Sequence, residues 1–142
     1  MDLDEATVST ILSESKTLSA TVLKFERKGP YLKARVAVQS ATGYDLAVEV
    51  TCNPVVGKIS ACLFVKGVKP GWARIYGVDV GDDHHNPDCQ MAGDPHRHNR
   101  WSVVHGCRFA SPAPEFTSVT EEMVARFLQE CSITTAVQVQ LP

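Results

Sequence analysis

Between Tyr31 and Gln39 the chain alternates with a period of two. Leu32, Ala34, Val36 and Val38 share one side, and Lys33, Arg35 and Gln39 the other. Such alternation predicts a strand with one face buried and one in water. Residues 45–52 repeat the pattern, with Leu46, Val48, Val50 and Cys52 on the apolar side. The connection ATGY (41–44) is of hairpin length, with Gly43 as its turn residue. Further strands are predicted over 21–27, 59–68 and 72–80, with turns at NPVVGK (53–58) and KPGW (69–72). The run reads as an antiparallel meander.

Two helical stripes flank this meander. Val8, Ile11 and Leu12 stand at i, i+3 and i+4, which predicts an amphipathic helix within 4–16, with Asp4 and Glu5 favourable near its start. Val119, Met123, Val124, Phe127, Leu128 and Cys131 form a second stripe within 118–133. Ser118 with Glu121 three residues on has the form of a capping box. Residues 134–142 alternate as a last strand, and the Pro-rich FASPAPEFTS (109–118) reads as a loop. Asp82, Asp83, Asn86-Pro87-Asp88, Gly93 and Asp94-Pro95 are turn formers, so 81–95 is predicted to be an exposed excursion. The class is therefore α+β: a single antiparallel sheet of about six to seven strands packed by two helices, in the order α-β-β-β-β-β-loop-β-α-β. A length of 142 residues favours one domain spanning 1–142.

Composition narrows the setting. Hydrophobic residues make up 44%, charged residues 21%, and the net charge is −2. A dedicated duplex-DNA binder is usually more basic. Nucleic-acid contact would therefore need a local patch, and Lys24, Arg27, Lys28, Lys33 and Arg35 make the first hairpin basic. The alternative is that these charges are only the solvated side of a sheet. The opening MDLDEATVST is acidic and has no secretory leader pattern. No apolar run reaches the ~20 residues of a membrane helix, so no membrane contact is expected. The odd set of five cysteines is widely spread, which reads as free thiols in a reducing cytoplasm.

The chemistry is concentrated. All five histidines lie between Val80 and Gly106. From His96 the chain is predicted to be extended again. His96, His98, Arg100 and Ser102 would then share one face, and Arg97, Asn99, Trp101, Val103 and His105 the other, with Trp101 and Val103 toward the core. Three readings stay open. In the first, His96 and His98 are acid and base for RNA phosphodiester cleavage, with His84 or His85 as partner. Arg100 or Arg97 would steady the phosphate, Arg74 and Tyr76 would line the site, and no cofactor would be required. In the second, zinc is held by His84 or His85 with Cys89, His96 and His98, the set His85, Cys89, His96 and His98 being the specific expectation; Asp82, Asp83, Asp88 and Asp94 could add oxygens. In the third, the loop collects polar residues because they turn the chain.

The order HHNPD, then GDPHRHNRW, then EMVARFLQECSI and VQVQLP resembles an uncharacterised prokaryotic family carried on prophages and mobile elements. The matching elements are His84 or His85 with Asn86-Pro87-Asp88, then Asp94-Pro95-His96-Arg97-His98, Trp101, and Phe127-Leu128 with Cys131 and Ile133. Cys89 and Asp94 stand where that pattern has glycine. The resemblance implies an accessory-gene setting. The run RIYGVD, DDHH and DPHRH is also similar to the TumE-like toxins of toxin–antitoxin pairs, through Arg74, Tyr76, Asp79 and the histidines. That similarity implies a small toxin acting on RNA or translation and neutralised by a protein partner. The competing expectation is a non-enzymatic, protein-binding inhibitor of a defence complex, for example an anti-CRISPR protein, with the histidine loop as a structural metal site or recognition surface.

Overall fold

A computed structural model describes residues 3–67 and 71–142. Helix α1 (Glu5–Ser13) is followed by short strands β1 (Lys16–Leu18), β2 (Val22–Lys24) and β3 (Glu26–Lys28). Four long strands come next: β4 (Tyr31–Ser40), β5 (Leu46–Asn53), β6 (Lys58–Lys66) and β7 (Trp72–Val80). After the excursion the chain forms β8 (His96–Ser102), β9 (Gly106–Pro112), α2 (Thr120–Glu130) and β10 (Gln138–Gln140). The class is α+β. The main sheet has eight strands in the order β1-β4-β5-β6-β7-β8-β9, with β3 on the same edge of β4 as β1, and every pairing in it is antiparallel.

The period-two pattern decides the two faces. Val36, Val48, Val50, Ala61, Leu63, Val65 and Val78 point inward and are buried, together with Val8 and Ile11 of α1 and Met123, Val124, Phe127 and Leu128 of α2. Burying each large aliphatic side chain is worth about 1.5–3 kcal/mol, which fixes which side the helices take. On the opposite face two rungs run straight across the sheet. One is Lys33, Thr51, Ser60, Asp79 and His96; the other is Arg35, Glu49, Cys62, Gly77 and His98.

Several expectations shift. The N-terminal helix is shorter than 4–16, because Asp4 caps it by accepting from the Thr7 N–H at 2.7 Å. Its other end is closed by Lys16, which is 1% exposed and donates from Nζ to the Leu12 and Glu14 carbonyls. The predicted strand 21–27 splits into β2 and β3, which join different sheets. Of residues 134–142 only Gln138–Gln140 form a strand, and it pairs in parallel with β2 outside the main sheet. The Pro-rich loop begins inside β9, which is an edge strand, where proline costs no ladder bond. The capping box does not form: Val119 is the N-cap with no side-chain bond, and Thr117 accepts from the Val119 N–H instead. Trp101 packs against the core and donates to the Leu3 carbonyl, but Val103 is exposed because β8 ends at Ser102. Most of the turn expected at 69–72 lies outside the described residues.

Candidate metal centre

The site is built where the sheet face meets the excursion. Pairing of β7 with β8 sets Asp79 beside His96 and Gly77 beside His98. The i, i+2 spacing of His96 and His98 puts both rings on the face away from the helices. Beyond β7 the chain must turn sharply. Gly81 has φ +90°, and a Cβ there would lie 2.4 Å from the Gly57 carbonyl oxygen, so no other residue fits without moving the backbone.

The excursion then folds back and is held down. The Asp83 carboxylate accepts from the His84 and Gly93 N–H groups, both at 2.7 Å. The Asn86 side chain bonds β9 as a second strand would, donating to the Ala110 carbonyl at 2.9 Å and accepting from its N–H at 2.8 Å. This is what the Asn-Pro-Asp turn does: it fixes His84 above the other two rings. Ring centroids are 4.6 Å apart for His84 and His98, 5.0 Å for His96 and His98, and 5.7 Å for His84 and His96.

Each imidazole is oriented by the main chain. His98 Nδ1 donates to the Cys107 carbonyl at 2.8 Å. His96 Nδ1 donates to the Asp82 and Gly93 carbonyls, both at 3.0 Å. His84 Nε2 donates to the Arg108 carbonyl. A carbonyl can only accept, so these contacts fix the tautomers. The other ring nitrogens are Nδ1 of His84 and Nε2 of His96 and His98; the two Nε2 atoms face the Asp79 carboxylate, donating to it when protonated and open to an ion only once that proton leaves. One ring nitrogen from each residue falls within 4.8 Å of the others, so the three can hold a metal ion. Asp79 Oδ2 lies 3.1 Å from His96 Nε2 and 3.3 Å from His98 Nε2.

Charge follows this geometry. Burial would raise the Asp79 carboxyl, but hydrogen bonds from His96, His98 and Ser60 hold it well below the usual carboxylate range. Burial would lower His96, yet its hydrogen bond to Asp79 and that carboxylate's charge hold it above an ordinary histidine. His84 is lowered by burial first, and the charges of His98, His96 and Arg74 add to this. Burial pushes the Cys107 thiol up to about 11, against the opposing charge of Arg74.

The structure brings together His84, His96 and His98, with Arg74 near enough for its charge to act on His84 and Asp79. It leaves His85 and Cys89 outside. They bond to each other on the exposed outer part of the loop, His85 Nε2 meeting the Cys89 carbonyl at 3.1 Å, and Cys89 has φ +68°. Arg100 does not follow His96 and His98, because the β8–β9 register shifts between Arg97 and Arg100; its guanidinium lies over Phe109 instead. Tyr76 and Arg97 lie on the helix side. Both bond Glu130 of α2, and Arg97 also pairs with Glu115. His105 meets Phe109 edge to face.

Asp79 was legible only as part of a resemblance, without a role. Its polar side between inward Val78 and Val80 was the available signal. A cleft of about 190 Å³, lined by Tyr31, Thr51, Asn53, Lys58, Ser60 and Asp82 among others, opens on Asp79. Larger clefts flank the helices and contain none of the histidines. Compared with family models, curated proteins and solved structures, the chain matches none.

Proposed function

We propose that the chain is a metal-dependent phosphodiesterase in which His84, His96 and His98 hold one zinc ion. One observation carries the reading: each imidazole is oriented by a bond from one ring nitrogen to a main-chain carbonyl, and one ring nitrogen of each lies within 4.8 Å of the others, with the Asp79 carboxylate beside His96 and His98. Metal-ligating histidines are oriented by outer hydrogen bonds of this kind. Three protein ligands leave a coordination position, as catalytic zinc sites do and closed structural sites do not. Bound zinc supplies Lewis acidity and brings a coordinated water to a pKa of about 7. Asp79 stands beside two of the ligands, where its negative charge favours a bound cation, and Arg74 offers a cation to phosphate oxygens. RNA in a reducing cytoplasm is the substrate setting that suits this chemistry and five free thiols.

The test pairs the wild type with His98→Ala. The purified wild type should carry about one equivalent of zinc, since three such ligands hold one ion. It should cleave bis(p-nitrophenyl) phosphate and a mixed-sequence RNA, and both activities should vanish with chelation and return with zinc. His98→Ala should lower both at least about a hundredfold, more than loss of an outer-shell partner costs. Cleavage that survives chelation and leaves 2′,3′-cyclic phosphate ends would return the site to cofactor-free acid–base chemistry. A protein with no ion and no product would sink both, leaving the protein-binding inhibitor.

A further inference from the structure

The sheet face that carries Asp79, His96 and His98 does not stop at the metal centre. It continues across β7, β6, β5 and β4 on the side opposite the helices. Beside Glu49, Thr51, Ser60 and Cys62, it carries a cluster of aromatic rings and cations. The Arg35 guanidinium lies 4.7 Å from the Trp72 ring centre and 5.4 Å from that of Phe64. The Lys66 ammonium stands 5.9 Å from Trp72. Phe64 pairs directly with Arg74 on the next strand, and Lys66 with Trp72. Trp72 is 42% exposed, although a tryptophan with no use for water is normally packed away.

The charge on this face is unbalanced. Lys33 and Arg35 share a single carboxylate, Glu49, at 3.6 and 2.7 Å. Among the described residues neither Lys66 nor Arg74 forms a salt bridge; Arg74 meets the Cys62 thiol and lies within reach of the Asp79 charge. The four cations stand against Glu49 and Asp79 on this face, with Glu26 opposite Lys33, so the positive charge gathers at the Trp72 end, around Arg35, Lys66 and Arg74. That positive charge is local and lies beside the exposed Trp72 ring and the half-buried Phe64 ring. From β4 to β8 is four interstrand steps of about 4.8 Å, so the face runs for roughly 19 Å to the histidines.

We propose that this face binds single-stranded nucleic acid, with bases stacked on Trp72 and Phe64 and phosphates held by Lys33, Arg35, Lys66 and Arg74, and that it leads the strand to the metal centre. Open sheet faces with aromatic rings read unstacked bases in just this way, because every base has a π-face and every link a charge. A duplex hides its bases from flat rings, so it should bind less well. The inference rests on the phosphodiesterase reading only for its direction along the face; the binding itself needs no ion.

Binding is therefore measured with a chelator present. A fluorescein-labelled twelve-nucleotide RNA of mixed sequence and its DNA counterpart are titrated by anisotropy, alongside the matching duplex. The expected result is tighter binding of single strands than of the duplex. Salt dependence should have a slope of roughly −2 to −3, as three or four phosphate contacts on a single strand give. Trp72→Ala should weaken binding about tenfold, the usual cost of losing one stacked base. Lys66→Glu is an exposed charge reversal that need not disturb folding, and it should weaken binding at least as much. RNA bound much better than DNA would place contacts on the 2′-hydroxyl; equal binding would place them on bases and phosphates alone, and both sustain the proposal. Absence of single-strand binding at low salt, or binding indifferent to both substitutions, would overturn it. Intact hydrolysis of bis(p-nitrophenyl) phosphate beside lost strand binding would refute this inference and leave the metal centre standing. Intact strand binding without hydrolysis would do the reverse.

Discussion

Zinc should act as a thermodynamic ligand of the folded chain, and the melting temperature reports it. At free zinc one hundred times its Kd, linkage stabilises the native state by about 2.7 kcal/mol. For a domain near 150 residues each kcal/mol moves the Tm by about 2–4 °C, so the shift from stripped to loaded protein should be roughly 5–11 °C. His98→Ala leaves two imidazoles, and the response should disappear. The same change removes the 2.8 Å bond to the Cys107 carbonyl and a ring that is 2% exposed. The stripped variant should therefore start lower than the stripped wild type, by about 2–4 kcal/mol for the cavity and the orphaned carbonyl together. The starting point thus reads packing, and the response to zinc reads ligation. His85→Ala is the control. Its ring is exposed and bonds only the Cys89 carbonyl, so its zinc response should equal the wild type's. Calorimetric scans of the three proteins, stripped and reloaded, make the comparison. A wild type whose Tm is the same with and without zinc, and which carries no ion by elemental analysis, refutes the reasoning.

Three further outcomes follow from single side chains. Asn86→Ala removes both bonds to Ala110 and should cost about 1–3 kcal/mol in urea unfolding; because it frees His84, zinc affinity by calorimetric titration should fall about tenfold or more. Cys89→Gly relieves a left-handed residue at φ +68° and should raise stability by up to about 1 kcal/mol; a clear loss would show that the thiol packs usefully. Tyr76→Phe deletes the hydroxyl on Glu130 and should cost about 1–2 kcal/mol while leaving phosphodiester hydrolysis unchanged, because that network faces the helix; a fall in kcat with normal stability would return Tyr76 to the site.

The strands were legible because their faces differ in environment. Leu32 to Val38 and Leu46 to Cys52 could be paired from alternation alone, since a slip of one residue would put every apolar side chain in water. The strand formed by Gly106–Pro112 was hidden by its closing Pro112 and by Pro114 just beyond it; an edge tolerates proline and a central strand does not. The i, i+2 relation of His96 and His98 was also legible, because it is a property of one strand. The register shift that turns Arg100 away depends on how β9 meets β8, which local pattern does not encode. Choosing His84 over His85 depends on where Asn86 anchors the loop, a contact 24 residues away along the chain. Tyr76 shares the inward face of Val78 and Val80 and so belongs to the core network, and the same alternation turns Asp79 to the face of the histidines.

The anchoring of that loop has a second consequence. β9 is the last strand of the sheet, and its outer rim would otherwise present bare amide groups to any passing chain. Asn86 occupies the N–H and C=O of Ala110, and His84 occupies the carbonyl of Arg108. The excursion that carries His84 is thus also the guard of an aggregation-prone border. Under the proposed metal reading, whatever loosens His84, whether removal of a zinc ion or loss of Asn86, should unzip the guard at the same moment. Colloidal behaviour and site occupancy are coupled through one asparagine, and light scattering at rising chelator concentration would follow the two together.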